Sequence, residues 1–180
     1  MDILLTTEAD RPRQQAFVEL LDAHRGIVRK IAMLYAGNRD EREDLAQEIA
    51  AQLWRSFARF DPVRAKFSTW MYRVALNVAI SHARRRAETG HTDPLEDWHL
   101  DSVADGTAND EPDPRLLELR RFIGQLDALN RALVLLYLED RSYAEIAEVL
   151  GLSTTNVATK LNRIKHTLRK QLTQSEPTGA

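Results

Sequence analysis

Between Ala87 and Asp113 the chain carries nine acids (Glu88, Asp93, Glu96, Asp97, Asp101, Asp105, Asp110, Glu111 and Asp113) and neither Lys nor Arg. The stretch is rich in Asp, Gly, Thr and Pro and has little apolar periodicity, so it cannot bury enough surface to offset its ordering entropy. A run of this length does not belong inside one compact domain. The sequence is therefore read as all-α, with two small helical domains over residues 1–86 and 114–180 joined by an acidic flexible linker over 87–113. Asp113-Pro114 ends the linker as a helix start, with Asp as cap and Pro at the first helical position. Trp98 either docks onto a domain or stays half-exposed.

The linker also hides the charge of the rest. The formal net charge is −2, but outside the strip 18 acids face 25 Lys and Arg. Those bases cluster. Arg64, Lys66, Arg73, Arg84, Arg85 and Arg86 have no acid among them, and neither do Lys160, Arg163, Lys165, Arg169 and Lys170. Two basic blocks imply two sites that meet phosphate.

Other classes recede. There is no cysteine, hence no disulfide framework and no thiolate metal site. Asp2, Glu8 and Asp10 break any resemblance to a secretory signal, and the run Leu133 to Leu138 is too short to span a bilayer. The expectation is a cytoplasmic protein with no membrane insertion of its own. No glycine-rich phosphate loop and no His-Glu ligand spacing occurs, and His24, His82, His91, His99 and His166 are scattered. No enzyme activity, cofactor or metal is expected.

Apolar residues keep helical spacing in both domains, and no alternating strand pattern appears. Phe17, Leu20, Leu21, His24, Ile27, Val28 and Ile31 continue past Gly26 as one pattern. After Gly37-Asn38, Leu45, Ile49, Leu53 and Trp54 mark a second helix with Phe57 at its end. Ser68 is read as the cap of a third, through Trp70, Val74, Ala75 and Val78. The second domain adds Leu116 to Leu126, then Leu129 to Leu138 behind an Asp127 cap.

The last segment is the most specific. Ser142 and Glu145 form a capping-box pattern, Ile146, Ala147 and Leu150 give one apolar side, and Gly151 sits where a left-handed residue stops a helix. Ser153 caps a second helix, whose Val157, Leu161, Ile164 and Leu168 recur at four, three and four. That helix leaves Thr154, Thr155, Asn156, Thr159, Lys160 and Arg163 free to meet base edges or phosphates, as the second helix of a helix-turn-helix does. An ordinary hairpin with a solvated face fits the same pattern.

Three pieces taken in order, EDLAQEIAAQLW (Glu43 to Trp54), FSTWMYRVALNVAISHARRR (Phe67 to Arg86) and SYAEIAEVLGLS (Ser142 to Ser153), make the chain resemble an extracytoplasmic-function (ECF) sigma factor of the sigma-70 family. The likeness covers nearly everything but the tail after Leu172. It implies a bacterial transcription initiation factor that binds core RNA polymerase, recognises and helps open promoter DNA, and is restrained by an anti-sigma partner.

Residue by residue, the resemblance places polymerase binding on Asp44, Leu45, Gln47 and Glu48. Spacing alone favours an ordinary solvated helix face, with Asp44 placed well near the positive end of the helix dipole, and it is the resemblance that turns the reading to polymerase binding. It places −10 recognition on Arg59, Phe60, Arg64, Lys66, Trp70, Arg73, Asn77, Arg84 and Arg85, where cations and aromatic planes suit a splayed single strand. Aromatics at helical spacing also build cores, and Trp70 and Phe67 are expected to be at least partly core. It places −35 recognition on Ser153, Thr154, Thr155, Asn156, Thr159, Lys160 and Arg163.

The sequence departs from the family at Ala158, where a Lys is common, and at Lys160, where an Arg is common. Lys lacks the bidentate fork of Arg, so a promoter preference does not carry over. The linker takes the place of a missing middle domain, threading near the template strand or RNA exit path, or acts only as a solvated tether. The alternatives are a stand-alone helix-turn-helix regulator, which would need no polymerase face and so has the Glu43–Glu48 pattern against it, and a pure interaction module, such as a member kept inactive by an anti-sigma protein.

Overall fold

In a computed structural model the structure describes residues 11–90 and 114–175, all of whose regular elements are helical. The first half holds α1 (Arg11–Ala23), α2 (Arg25–Tyr35), α3 (Arg39–Ser56), a 3-10 turn (Phe57–Arg59) and α4 (Phe67–Glu88). The second holds α5 (Pro114–Gln125), α6 (Ala128–Leu138), α7 (Tyr143–Leu150) and α8 (Thr154–Ser175). Most of the linker, with Trp98, lies outside the described residues, as do residues 176–180 of the tail.

Two expectations for helix starts fail. The pattern across Gly26 is two helices, because the chain breaks at His24, whose Nδ1 sits 2.9 Å from the Leu20 carbonyl oxygen and whose N–H donates to the Leu21 oxygen at 3.2 Å. Ser68 does not cap α4. The helix opens at Phe67, behind an extended Lys66 that makes no side-chain cap. The Asp127 cap forms as read, and Asn38, read only as part of a break, caps α3. Asn38 accepts from the Glu41 N–H at 2.9 Å, and Asp127 accepts from the Asn130 N–H at the same distance. Past Leu172, where the family likeness ends, α8 continues to Ser175.

Leu45, Ile49 and Leu53 of α3 are fully buried against α2 and α4, with Ile31, Met71 and Leu76. In the second half Ile123, Leu133, Leu136, Ile146 and Leu161 play the same part. The two sets form one contiguous apolar cluster, because α4 packs on α6 and α7. A polar contact joins the halves as well, since the Tyr35 hydroxyl donates to the Ala128 carbonyl at 2.6 Å. Burial, chiefly, holds that phenol protonated far above its usual range.

At the turn of the helix-turn-helix, Gly151 has φ +66°, and the Leu152 N–H reaches back to the Ala147 carbonyl at 3.0 Å. Space is open around Gly151, so only the backbone conformation resists a side chain. Gly151→Ala is expected to cost about 1 kcal/mol in urea unfolding, the penalty of a left-handed non-glycine residue. No measurable loss would mean the turn rearranges freely.

Candidate nucleic-acid and polymerase interfaces

The helix-turn-helix is built as its sequence requires. The Ser142 hydroxyl accepts from the Glu145 N–H at 3.2 Å, and the Glu145 carboxylate accepts from the Ser142 N–H at 2.9 Å. That backbone donor first, and the Ser142 hydroxyl second, hold the Glu145 carboxyl below its usual range. The box therefore stabilises above the ordinary carboxylate range, and its contribution fades as acid titrates Glu145 through its lowered value.

Ser153 accepts from the Asn156 N–H at 3.2 Å and fixes the start of α8. Val157, Leu161 and Ile164 are buried, which leaves Ser153, Thr154, Thr155, Asn156, Thr159 and Arg163 exposed and Lys160 half-buried on the flank. Asn162 and His166, also exposed, continue the row of Thr155 and Thr159 by helical spacing. Neither is assigned to this face from the sequence. Lys165, counted in the basic block, is committed elsewhere, with its ammonium 4.0 Å from the centre of the Tyr137 ring.

On α4, Trp70, Arg73, Asn77 and Arg84 recur along one side; Arg73, Asn77 and Arg84 are exposed and Trp70 is half-buried. Exposed Ser81 joins the same side. Arg59, Arg64 and Lys66 are exposed in the loop before α4, where Asp61 accepts from the Val63 N–H at 2.9 Å and pairs with Arg64 at 3.4 Å. Behind them stands an aromatic wall. Phe60 lies 5.2 Å from Trp70 and 5.3 Å from Phe67 between ring centres, and Phe57 stacks near Phe60 at 6.1 Å. Phe67 is buried and belongs to the core, while Phe60 and Trp70 keep exposed edges.

The end of α4 differs from the expectation of a free basic run. Arg85 bonds Glu48 at 2.9 and 3.2 Å, and Arg86 bonds Glu41 at 2.7 Å. His82 Nδ1 adds a 3.7 Å approach to Glu48. The carboxylates of α3 thus neutralise two of the three arginines, and Arg84 alone of the three projects without an ion pair among the described residues.

The same pairing reshapes the α3 face. Asp44 and Gln47 are exposed, but Glu48 is occupied by Arg85. Leu45 has no exposed surface, so it cannot touch a partner and instead supports the face from within. Beside this face, α2 and α3 enclose an open groove of about 660 Å³ with an apolar floor of Val28, Ala32 and Ala46, rimmed by Arg25, Arg29 and Arg39. Sequence periodicity carries no sign of it, because its walls come from separate helices, with Leu21 of α1 completing the lining.

Residues 20–89 match the family model for Sigma-70 region 2, and residues 116–168 match that for Sigma-70, region 4. The ECF RNA polymerase sigma factor SigW of Bacillus subtilis (strain 168) is 32% identical over 171 residues, covering 88% of this chain and 90% of its own. The chain belongs to the ECF sigma factors of the sigma-70 family. CnrH of Cupriavidus metallidurans, an RNA polymerase sigma factor, is 30% identical over 91% of this ECF sigma factor and 90% of its own length.

Solved structures share the fold. CnrH in complex with the cytosolic domain of CnrY gives a TM-score of 0.63 at 23% identity, over 91% of each chain. The sigma factor RpoE bound to the anti-sigma factor NepR, from Bartonella quintana, gives 0.61 at 19% identity, over 93% of this chain and 99% of its own. In this ECF sigma factor, region 2 falls mainly on α2–α4 and region 4 on α5–α8. Among the described residues, no helix is long and apolar enough to cross a membrane, and no three His, Asp or Glu side chains gather as metal ligands.

Proposed function

We propose that this sigma factor binds core RNA polymerase through the Asp44–Gln47 face of α3 and directs it to promoters. The −10 element is read and opened by the 59–66 loop and the Arg73–Asn77–Arg84 side of α4. The −35 element is read by the exposed face of α8. The observation that carries this reading is that both polar, cation-bearing helix faces stand open at the places where region 2 and region 4 match. The exposed edges of Phe60 and Trp70 suit stacking of an extruded base, worth about 1–3 kcal/mol per base, while Arg59, Arg64 and Lys66 meet its phosphates. RNA synthesis belongs to the polymerase; this chain places it. Since RpoE was solved with an anti-sigma factor, a restraining protein of that kind is proposed here too.

Run-off transcription with core polymerase on a pool of genomic promoters tests the reading. Discrete transcripts from a subset of templates are expected. Duplex binding without polymerase and without transcripts would favour a stand-alone regulator. On α3, Asp44→Ala with Gln47→Ala is expected to weaken association with core polymerase, the Asp44 charge acting mainly on the rate of encounter at low salt and the Gln47 amide on the hydrogen bonds of the complex. Glu48 is left in place because its removal also frees Arg85. An unchanged rate, with helical content intact, retires the α3 assignment.

A further inference from the structure

Two ion pairs tie α3 to the end of α4, and they are unlike each other. Arg86 and Glu41 meet at 2.7 Å with side chains 18% and 26% exposed, and Glu41 also accepts the Gly37 N–H at 3.0 Å. That pair is enclosed and anchored, so removing either member strands a desolvated charge. Arg85 and Glu48 meet at 2.9 Å with side chains 58% and 39% exposed. Both of their bonds leave one guanidinium nitrogen, Nη2, rather than forming the parallel two-nitrogen fork of the strongest Arg–carboxylate pairs. A pair this open contributes little to stability and is readily exchanged for another partner.

Its two members belong to different surfaces. Glu48 lies one helical turn from exposed Asp44, so a cation that meets Asp44 comes within reach of Glu48 as well. Arg85 follows Arg84, the last cation on the side of α4 that carries Arg73 and Asn77. His82, one turn earlier on α4, brings Nδ1 to 3.7 Å from the Glu48 carboxylate, so that carboxylate keeps a neighbour on α4 when Arg85 departs.

We propose that Glu48 is a shared acceptor coupling these surfaces. In the free chain it holds Arg85 back from DNA phosphate. When a cation of core polymerase takes the carboxylate, Arg85 is released to the promoter. The exchange rests on the polymerase and promoter reading above, whereas the restraint on Arg85 does not. Coupling of this kind is reciprocal, so Glu48 without Arg85 meets polymerase more readily.

Binding of the free full-length chain to a labelled DNA duplex of mixed sequence, titrated at several salt concentrations, tests the restraint. Glu48→Gln is expected to bind about two- to fivefold more tightly than the parent, the range an exposed ion pair allows. Its slope of log affinity against log salt should steepen by about 0.9, for one added phosphate contact. In an Arg85→Ala background the same substitution should gain nothing, because no cation is left to release. Association with core polymerase tests the exchange. Arg85→Ala is expected to associate about two- to fivefold faster than the parent, and to add nothing when combined with Glu48→Gln.

A gain from Glu48→Gln that persists without Arg85 is a field effect of the lost charge and overturns the restraint, as does no gain at all. Arg85→Ala associating no faster than a parent that binds polymerase overturns the exchange. A parent that binds no polymerase overturns the exchange together with the reading beneath it, and the parent alone reports that.

Discussion

A factor carrying Lys160→Ala and Arg163→Ala, assembled with core polymerase, is expected to lose promoter affinity across all sequences together with much of its salt dependence, and Arg163 adds about 1–3 kcal/mol where it reads a guanine edge. Both cations sit on α8 beyond its Ser153 cap, Arg163 exposed and Lys160 half-buried. If each meets a phosphate, the slope of log affinity against log salt should flatten by about 2, near 0.9 per contact. Lys165→Ala is the contrast. Its ammonium is held over Tyr137, so its removal should change the slope little. Titration at several salt concentrations checks both. A double variant with the parent's slope would show that this face of α8 does not meet DNA.

Leu45→Ala should lower the free energy of unfolding by about 2–5 kcal/mol, the usual cost of emptying a fully buried leucine site. A domain of this size has only about 5–15 kcal/mol to lose. Polymerase binding should fall in step with the folded fraction and recover where the variant is folded, for example at lower temperature. Urea unfolding measured beside polymerase binding separates the two causes. A variant as stable as the parent but deficient in binding would return Leu45 to the contact surface.

The fate of Leu45 shows where sequence alone reaches its limit. A resemblance assigns a motif, but the motif E-D-L-x-Q-E contains both a contact row and the core residue beneath it. Helical spacing separates Asp44 and Gln47 from Leu45 once the burial of Ile49 and Leu53 is known. Local signals were legible. The Ser142–Glu145 box, the left-handed Gly151 and the Asp127 cap each depend on a few neighbouring residues, and all formed as read.

Pairings between distant residues were not legible. Arg85 meets Glu48 from 37 positions away and Lys30 meets Glu139 from 109, and no periodicity carries that information. The same gap made the Arg84-Arg85-Arg86 run look like a free basic patch. His24 is a third kind of miss. Apolar spacing persists across it, and only the competition of its ring and N–H for the Leu20 and Leu21 carbonyls ends α1. The contiguous core linking the halves was equally hidden, because it depends on how α4 meets α6 and α7.

Direct association of the purified full-length chain with core RNA polymerase, measured by size-exclusion chromatography without DNA or any inhibitor, tests the central claim. A one-to-one complex that Asp44→Ala with Gln47→Ala weakens is the predicted result. A folded chain that elutes apart from the polymerase at micromolar concentration would contradict it.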